Sequence, residues 1–175
     1  QDVLRGGWDY AISKPLYRLR GKTLGLMAFG DIAKMVALKA QAFGINVQAF
    51  DPYIDETIAA EYGVKLVDFE VLIKTSDFLS IHAPVTPETF KLFNIDIFKQ
   101  MKANCILVNT ARGALINEED LVEALEKKYI AGAALDVTSP EPIKPYSKLK
   151  KMENVIITPH AAWYTEEAQE SLQIQ

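Results

Sequence analysis

Few residues in this chain are suited to acid–base chemistry, and they fall just after apolar runs. His160 follows such a run and a proline in "NVIITPH", and Glu141 sits between prolines in "SPEP". A carboxylate that accepts a hydrogen bond from one imidazole nitrogen fixes the tautomer and raises the imidazole pKa. The other nitrogen is then left to exchange a proton with a substrate. Spacing alone leaves a plainer alternative open, a capping histidine and a solvated glutamate. Arg112, in "NTARGALI", emerges from an apolar run into a turn. A guanidinium there suits a carboxylate substrate, a surface arginine being the alternative. His82 ends another apolar run, where a structural or cofactor-neighbouring role is expected.

A second constellation lies near the amino terminus. In "TLGLMAFGDIAKMVALKA" a strand-like run meets a helix-like run across a turn of small residues, as a dinucleotide-binding loop requires. In the register G-x-G-x-x-G the chain reads Ala28, Gly30, Ala33. Gly30 is the position where backbone must approach a pyrophosphate, and the third position tolerates alanine because it governs only helix–strand packing. Ala28 is the departure, and it is accommodated if its φ is negative. Asp31 can cap the following helix but sets negative charge near the pyrophosphate, which should weaken binding. Asp51 ends the next apolar run, roughly 20 residues after Gly30, the spacing of the acid that accepts hydrogen bonds from the adenosine ribose. A carboxylate there repels a 2'-phosphate, so the implied cofactor is NAD rather than NADP.

These residues need a scaffold, and the chain's periodicity supplies one. Apolar runs at 23–29, 46–50, 64–67, 77–81, 105–109, 131–137 and 154–158 read as strands. Helical periods fall at about 32–43, 55–62, 68–74, 94–101, 117–128 and 165–174. In the first helix Ile32, Met35, Val36, Ala40 and Phe43 share a face expected to pack inward, and Gly44 stands at the C-terminal cap. Asn117 and Thr165 read as helix starts. Near-continuous apolar strands separated by helices indicate a doubly wound parallel α/β sheet covered on both faces, with ligands beyond the carboxyl ends of the strands. The prolines of 138–148 exclude regular structure and predict an ordered surface loop.

At 175 residues and 49% hydrophobic the chain is sized for one domain with a real core. A net charge of -4 argues against direct binding to nucleic acid or to an anionic membrane. No apolar stretch approaches the ~20 residues of a membrane span. One cysteine and two distant histidines give no metal-ligand spacing, and a reducing, cytoplasmic setting is expected.

Taken together, "RGGW", "GKTLGL", "AFDPY", "HAPVTPET", "LVNTARGALI", "EALEKKYIAGAALDV" and "NVIITPHAAW" resemble the NAD-binding domain of the D-isomer-specific 2-hydroxyacid dehydrogenases over nearly the whole of residues 1–175. The resemblance implies a Rossmann-type fold and an enzyme, phosphoglycerate-dehydrogenase-like, that moves a hydride between nicotinamide and a D-2-hydroxy or 2-keto acid. It assigns Arg112 to the substrate carboxylate and carbonyl, and His160 with Glu141 to proton transfer. It assigns Asp51 to the ribose and Asp136 to the nicotinamide end. Ala28, Gly30, Asp31, Ile32, His82, Ala83, Pro84, Thr110, Ala111 and His160 fall on further positions lining the cofactor. It also implies a homodimer formed through this domain, and a substrate domain built from segments on both sides that are missing here, so that the domain alone is expected to be inactive. Asp31 replaces an arginine common in the family. "TPHAAWY" is similar to the C-terminal-binding-protein branch, so an NAD(H)-responsive corepressor-like binding protein is the alternative.

Overall fold

The computed structural model describes residues 3–13 and 16–174. Every apolar run becomes a strand of one sheet: β1 (Thr23–Met27), β2 (Asn46–Phe50), β3 (Lys65–Leu66), β4 (Phe78–Ile81), β5 (Ile106–Asn109), β6 (Gly132–Leu135) and β7 (Val155–Ile157). All neighbouring pairs are parallel, in the order β3-β2-β1-β4-β5-β6-β7. The order reverses between β1 and β4, which opens a crevice at the carboxyl edge there. Because the strands are parallel, Ala28, Asp51, His82, Thr110, Asp136 and Thr158 all emerge on that one edge.

Among the described residues five α-helices run between the strands, α1 (Asp31–Ala42), α2 (Glu56–Glu61), α3 (Phe69–Thr75), α4 (Ile95–Phe98) and α5 (Glu118–Glu126), and α6 (Glu166–Ile174) follows β7. Three of their starts are capped by side chains, while Gly30, Asp68 and Asn117 ahead of α1, α3 and α5 make no side-chain cap bond. Asp55 and Asn94 accept from the first free N–H groups of α2 and α4, and the Thr165 hydroxyl accepts from Ala168 N. Gly44 follows α1 with φ 73°, its N–H donating to Gln41 O. Two apolar clusters sit on opposite faces of the sheet. Leu24, Leu26 and Val47 pack with α1 and α2, while Leu79, Leu107 and Leu135 belong to the larger cluster with α3 and α5. Each fully buried leucine of this kind stabilises the fold by about 2 kcal/mol.

The α1 face departs from expectation. The helix buries Ala33, Ala37 and Ala40, while Ile32, Met35 and Phe43 are exposed. Small side chains let the helix axis lie close to β1 and β2, and close approach gains more contact than the larger residues could make from further away. The segment 138–148 has no helix or strand before a 3-10 turn at Lys148–Lys151, as its prolines dictate. At the opposite, amino-terminal edge of the sheet Asp77 ties three elements together. Its carboxylate accepts from Thr23 N at 2.9 Å, from Lys102 Nζ at 3.1 Å and from Asn104 Nδ2 at 3.1 Å.

Candidate active site and dinucleotide loop

The loop between β1 and α1 is held from β2. Ala28 N donates to Phe50 O at 2.8 Å, and Phe29 N donates to Asp51 Oδ2 at 2.9 Å. Asp51 Oδ1 accepts from Tyr53 N at 2.9 Å. Asp51 is thus first a brace for the loop, but each of its oxygens keeps a lone pair for a ribose hydroxyl. Gly30 caps α1 with φ -76°, and no protein atom lies within 4 Å of where a Cβ would stand. The protein itself therefore does not require glycine there. What the missing side chain leaves free is the approach to the loop backbone and to the N–H groups of α1, the space a pyrophosphate needs. The residues present fit a dinucleotide.

Ala28 corrects a sequence expectation. Its φ is 72°, in the left-handed region, where an alanine costs roughly 1–2 kcal/mol. The turn demands this conformation because Ala28 N must still pair with β2 while the chain swings out toward Gly30. The Asp31 side chain is 99% exposed and paired with Lys34 at 3.3 Å. The pairing offsets part of its charge. Ile32 is exposed beside it.

Across the crevice His82 bonds Ser80 Oγ through Nε2 at 2.9 Å, and burial pushes its pKa down to about 4. It is a neutral imidazole near pH 7, fixed by β4. Ala83 is buried behind it and Pro84 exposed, its carbonyl accepting from Thr89 Oγ1 at 2.7 Å.

The acid–base residues meet further along the edge. His160 Nδ1 lies 2.8 Å from Glu141 Oε2, both side chains being about two-fifths exposed. The hydrogen bond from His160 holds the Glu141 carboxyl below its ordinary range, helped by Thr138 N, which donates to Oε1 at 3.1 Å. The pair therefore carries an ionised glutamate, and His160 Nε2 is left for other work. A cavity of about 530 Å³ opens beside them, lined by Asp136, Thr138, Pro142, Ile143 and Ile157 as well as the pair.

His160 itself has φ 54°, a strained conformation for a residue with a side chain. The strain is held by Asp136. The backbone oxygen of Asp136 accepts from His160 N at 2.8 Å, and its carboxylate accepts from Ala161 N and Ala162 N, each at 2.9 Å, and from the Thr158 hydroxyl. Burial pulls the Asp136 carboxyl upward, but those donors outweigh it and its pKa is lowered. The family resemblance places Asp136 at the nicotinamide, and its carboxylate also fixes the histidine turn.

Arg112 stands on the loop after β5. It is exposed, and its Nη1 donates to Ala111 O at 2.6 Å. Thr110 is exposed beside it. Asn109, Gly113 and Thr158 have roles here that residue types alone do not announce. The only available signal was an asparagine at the end of an apolar run before a small-residue turn, a site for side chain–backbone bonding. Among the described residues no group of three His, Cys, Asp or Glu side chains is placed to hold a metal ion.

This arrangement, a dinucleotide loop and a carboxylate–histidine pair on one edge of a doubly wound sheet, has relatives. The family model for the D-isomer specific 2-hydroxyacid dehydrogenase, NAD binding domain, matches residues 1–162. The chain belongs to this family. Its cofactor is NAD. The D-3-phosphoglycerate dehydrogenase of Methanocaldococcus jannaschii is 45% identical over 168 residues, which are 95% of this chain and 32% of that protein. The glyoxylate reductase of Thermococcus litoralis is 42% identical over 160 residues, 89% of this chain and 47% of that protein. D-lactate dehydrogenase from Lactobacillus jensenii, solved with NAD+, superposes with a TM-score of 0.86 at 32% identity, covering 98% of this chain and 55% of that one. The chain thus spans about half or less of these relatives. Their names, two dehydrogenases and a reductase, do not favour the corepressor alternative.

Proposed function

We propose that this NAD-binding domain serves a D-2-hydroxyacid dehydrogenase that interconverts a small 2-hydroxy acid and its 2-keto acid, with residues outside 1–175 supplying a substrate domain and part of the side-chain pocket. The observation that carries the reading is the Glu141–His160 pair at 2.8 Å on the same sheet edge as the NAD loop. Glu141 accepts from His160 Nδ1–H, which fixes the tautomer and leaves Nε2 to take the hydroxyl proton in oxidation or return it to the carbonyl oxygen in reduction. Arg112 offers a planar fork of donors for the carboxylate and for the carbonyl oxygen as it gains charge. Bound NAD supplies the hydride acceptor, and NADH the donor. Asp51 directs the choice of NAD through its free lone pairs and its charge.

The large apolar side chains left outside, Ile32 and Met35 on α1 and Phe43 at its C-terminal cap with Trp8, Tyr10 and Tyr17 before β1, support a homodimer formed through this domain. Sedimentation showing a strict monomer at high concentration contradicts it. A cytoplasmic setting is supported by the absence of disulfides among the described residues, Cys105 being a free, buried thiol. No described helix is long and apolar enough to cross a membrane.

The function is tested by NADH consumption with a panel of 2-keto acids, using the domain joined to its substrate-binding segments. His160→Gln is expected to lower turnover by about 10²–10⁴ while NADH affinity is retained. Full turnover in that variant contradicts the assignment.

A further inference from the structure

Asn109 is the last residue of β5 and is fully buried, 0% exposed. Both ends of its amide are used on the loop that follows. Oδ1 accepts from Ala111 N at 3.0 Å and Nδ2 donates to Arg112 O at 2.9 Å. Its own backbone oxygen accepts from Asp136 N at 2.9 Å, and the backbone oxygen of Asp136 accepts from His160 N at 2.8 Å. A chain of bonds thus runs from the Arg112 backbone through one buried amide to the His160 backbone. A second contact reinforces it. A Cβ on Gly113 would lie 2.1 Å from the carbonyl carbon and oxygen of Thr138, so the residue after Arg112 lies flush against the segment that leads to Glu141.

We propose that Asn109 is a positioning residue that holds the backbone of Arg112 in register with the Glu141–His160 pair. An amide is the group that fits. The site needs one acceptor for Ala111 N and one donor for Arg112 O within a buried volume, and a leucine would leave both unpaired while an aspartate would lose the donor. The consequence for substrate rests on the reading of Arg112 given above; the positioning of the loop does not.

The test is amide hydrogen exchange on this chain, followed by titration of the domain joined to its substrate-binding segments with oxamate, an isostere of a small 2-keto acid, at saturating NADH. Two N–H groups report the lock: Ala111 N, which bonds Asn109 directly, and Leu115 N, which donates to Arg112 O at 3.3 Å. Asn109→Ala is expected to speed exchange at both by about tenfold, while β5 and β6 amides such as Leu107 and Leu135 stay within about twofold. Asn109→Asp keeps the acceptor, so Ala111 should stay protected and Leu115 should not. That graded pair also covers the case in which the alanine variant fails to fold. Oxamate affinity should fall about tenfold with NADH affinity unchanged. A uniform rise in exchange across β5 and β6, or none at either reporter, overturns the proposal. If the unsubstituted domain, joined to its substrate-binding segments, binds NADH but no oxamate, the substrate role of Arg112 fails, and the exchange pattern alone decides the role of Asn109.

Discussion

The two halves of the carboxyl edge are built differently. On the β1–β2 side the loop is shaped mainly by backbone, with Asp51 as the one side-chain brace and open space over Gly30. On the β5–β7 side the functional residues sit in a dense lattice of side chain–backbone bonds centred on Asn109 and Asp136, with a strained histidine at its end. A dinucleotide offers phosphates and sugars rich in acceptors, so exposed N–H groups and room suffice. Proton transfer needs a nitrogen and an oxygen held to a few tenths of an ångström, and only a packed, bonded support does that.

That contrast can be broken by removing the central carboxylate of each half. Asp136→Ala removes a buried carboxylate and strips partners from Ala161 N, Ala162 N and Thr158 Oγ1, which are only partly buried, and should destabilise the chain by about 3 kcal/mol in denaturant unfolding. Asp51→Ala frees Phe29 N and Tyr53 N at a half-exposed site where water can replace it, and should cost about 1 kcal/mol. Equal losses would dissolve the distinction.

His82 stands where the two halves meet, and pH sharpens its part. Its ordinary pKa of 6.5 falls to about 4 through burial. Between those values the unfolded chain takes a proton that the folded chain refuses, so stability is full above the upper value and is lost as pH falls toward the lower. The loss should be on the order of 2 kcal/mol, measured as unfolding free energy against pH. His82→Gln should remove that slope. The carboxyls held low at Asp77, Asp136 and Glu141 act at lower pH, because their folded pKa values lie below the ordinary carboxylate range.

The smallest effects separate shape from charge in the cofactor loop. The strain at Ala28 is present with and without NAD, so Ala28→Gly should raise stability by about 1 kcal/mol and leave NAD affinity nearly unchanged. Asp31→Arg should instead raise NAD affinity a few-fold at low salt and lose that gain as salt is added, with little change in stability. An affinity gain from Ala28→Gly that ignores salt would show that the strain is released only on binding.

Much of this was legible in the sequence because it rests on period. All seven strands of the described residues lie inside apolar runs, whereas the meeting of Glu141 and His160 was implied only by the family resemblance, spacing leaving a capping histidine and a solvated glutamate open. Three features were not legible. The buried face of α1 is decided by alanines, whose weak apolarity loses to Ile32 and Met35 in any pattern. The φ of Ala28 is set by pairing to Phe50, a contact between distant segments. The bonds of Asn109 and Asp136 likewise cross between strands, so a residue's type at a strand end marks a place without naming its partner.

Asp51 braces the NAD loop, and on the proposed reading it also accepts from the ribose. Calorimetric titration of the chain with NADH and with NADPH tests it most directly. We expect NADH to bind at least about tenfold more tightly, and Asp51→Asn to narrow that gap by admitting the 2'-phosphate. Equal or tighter binding of NADPH to the unsubstituted chain would contradict the account.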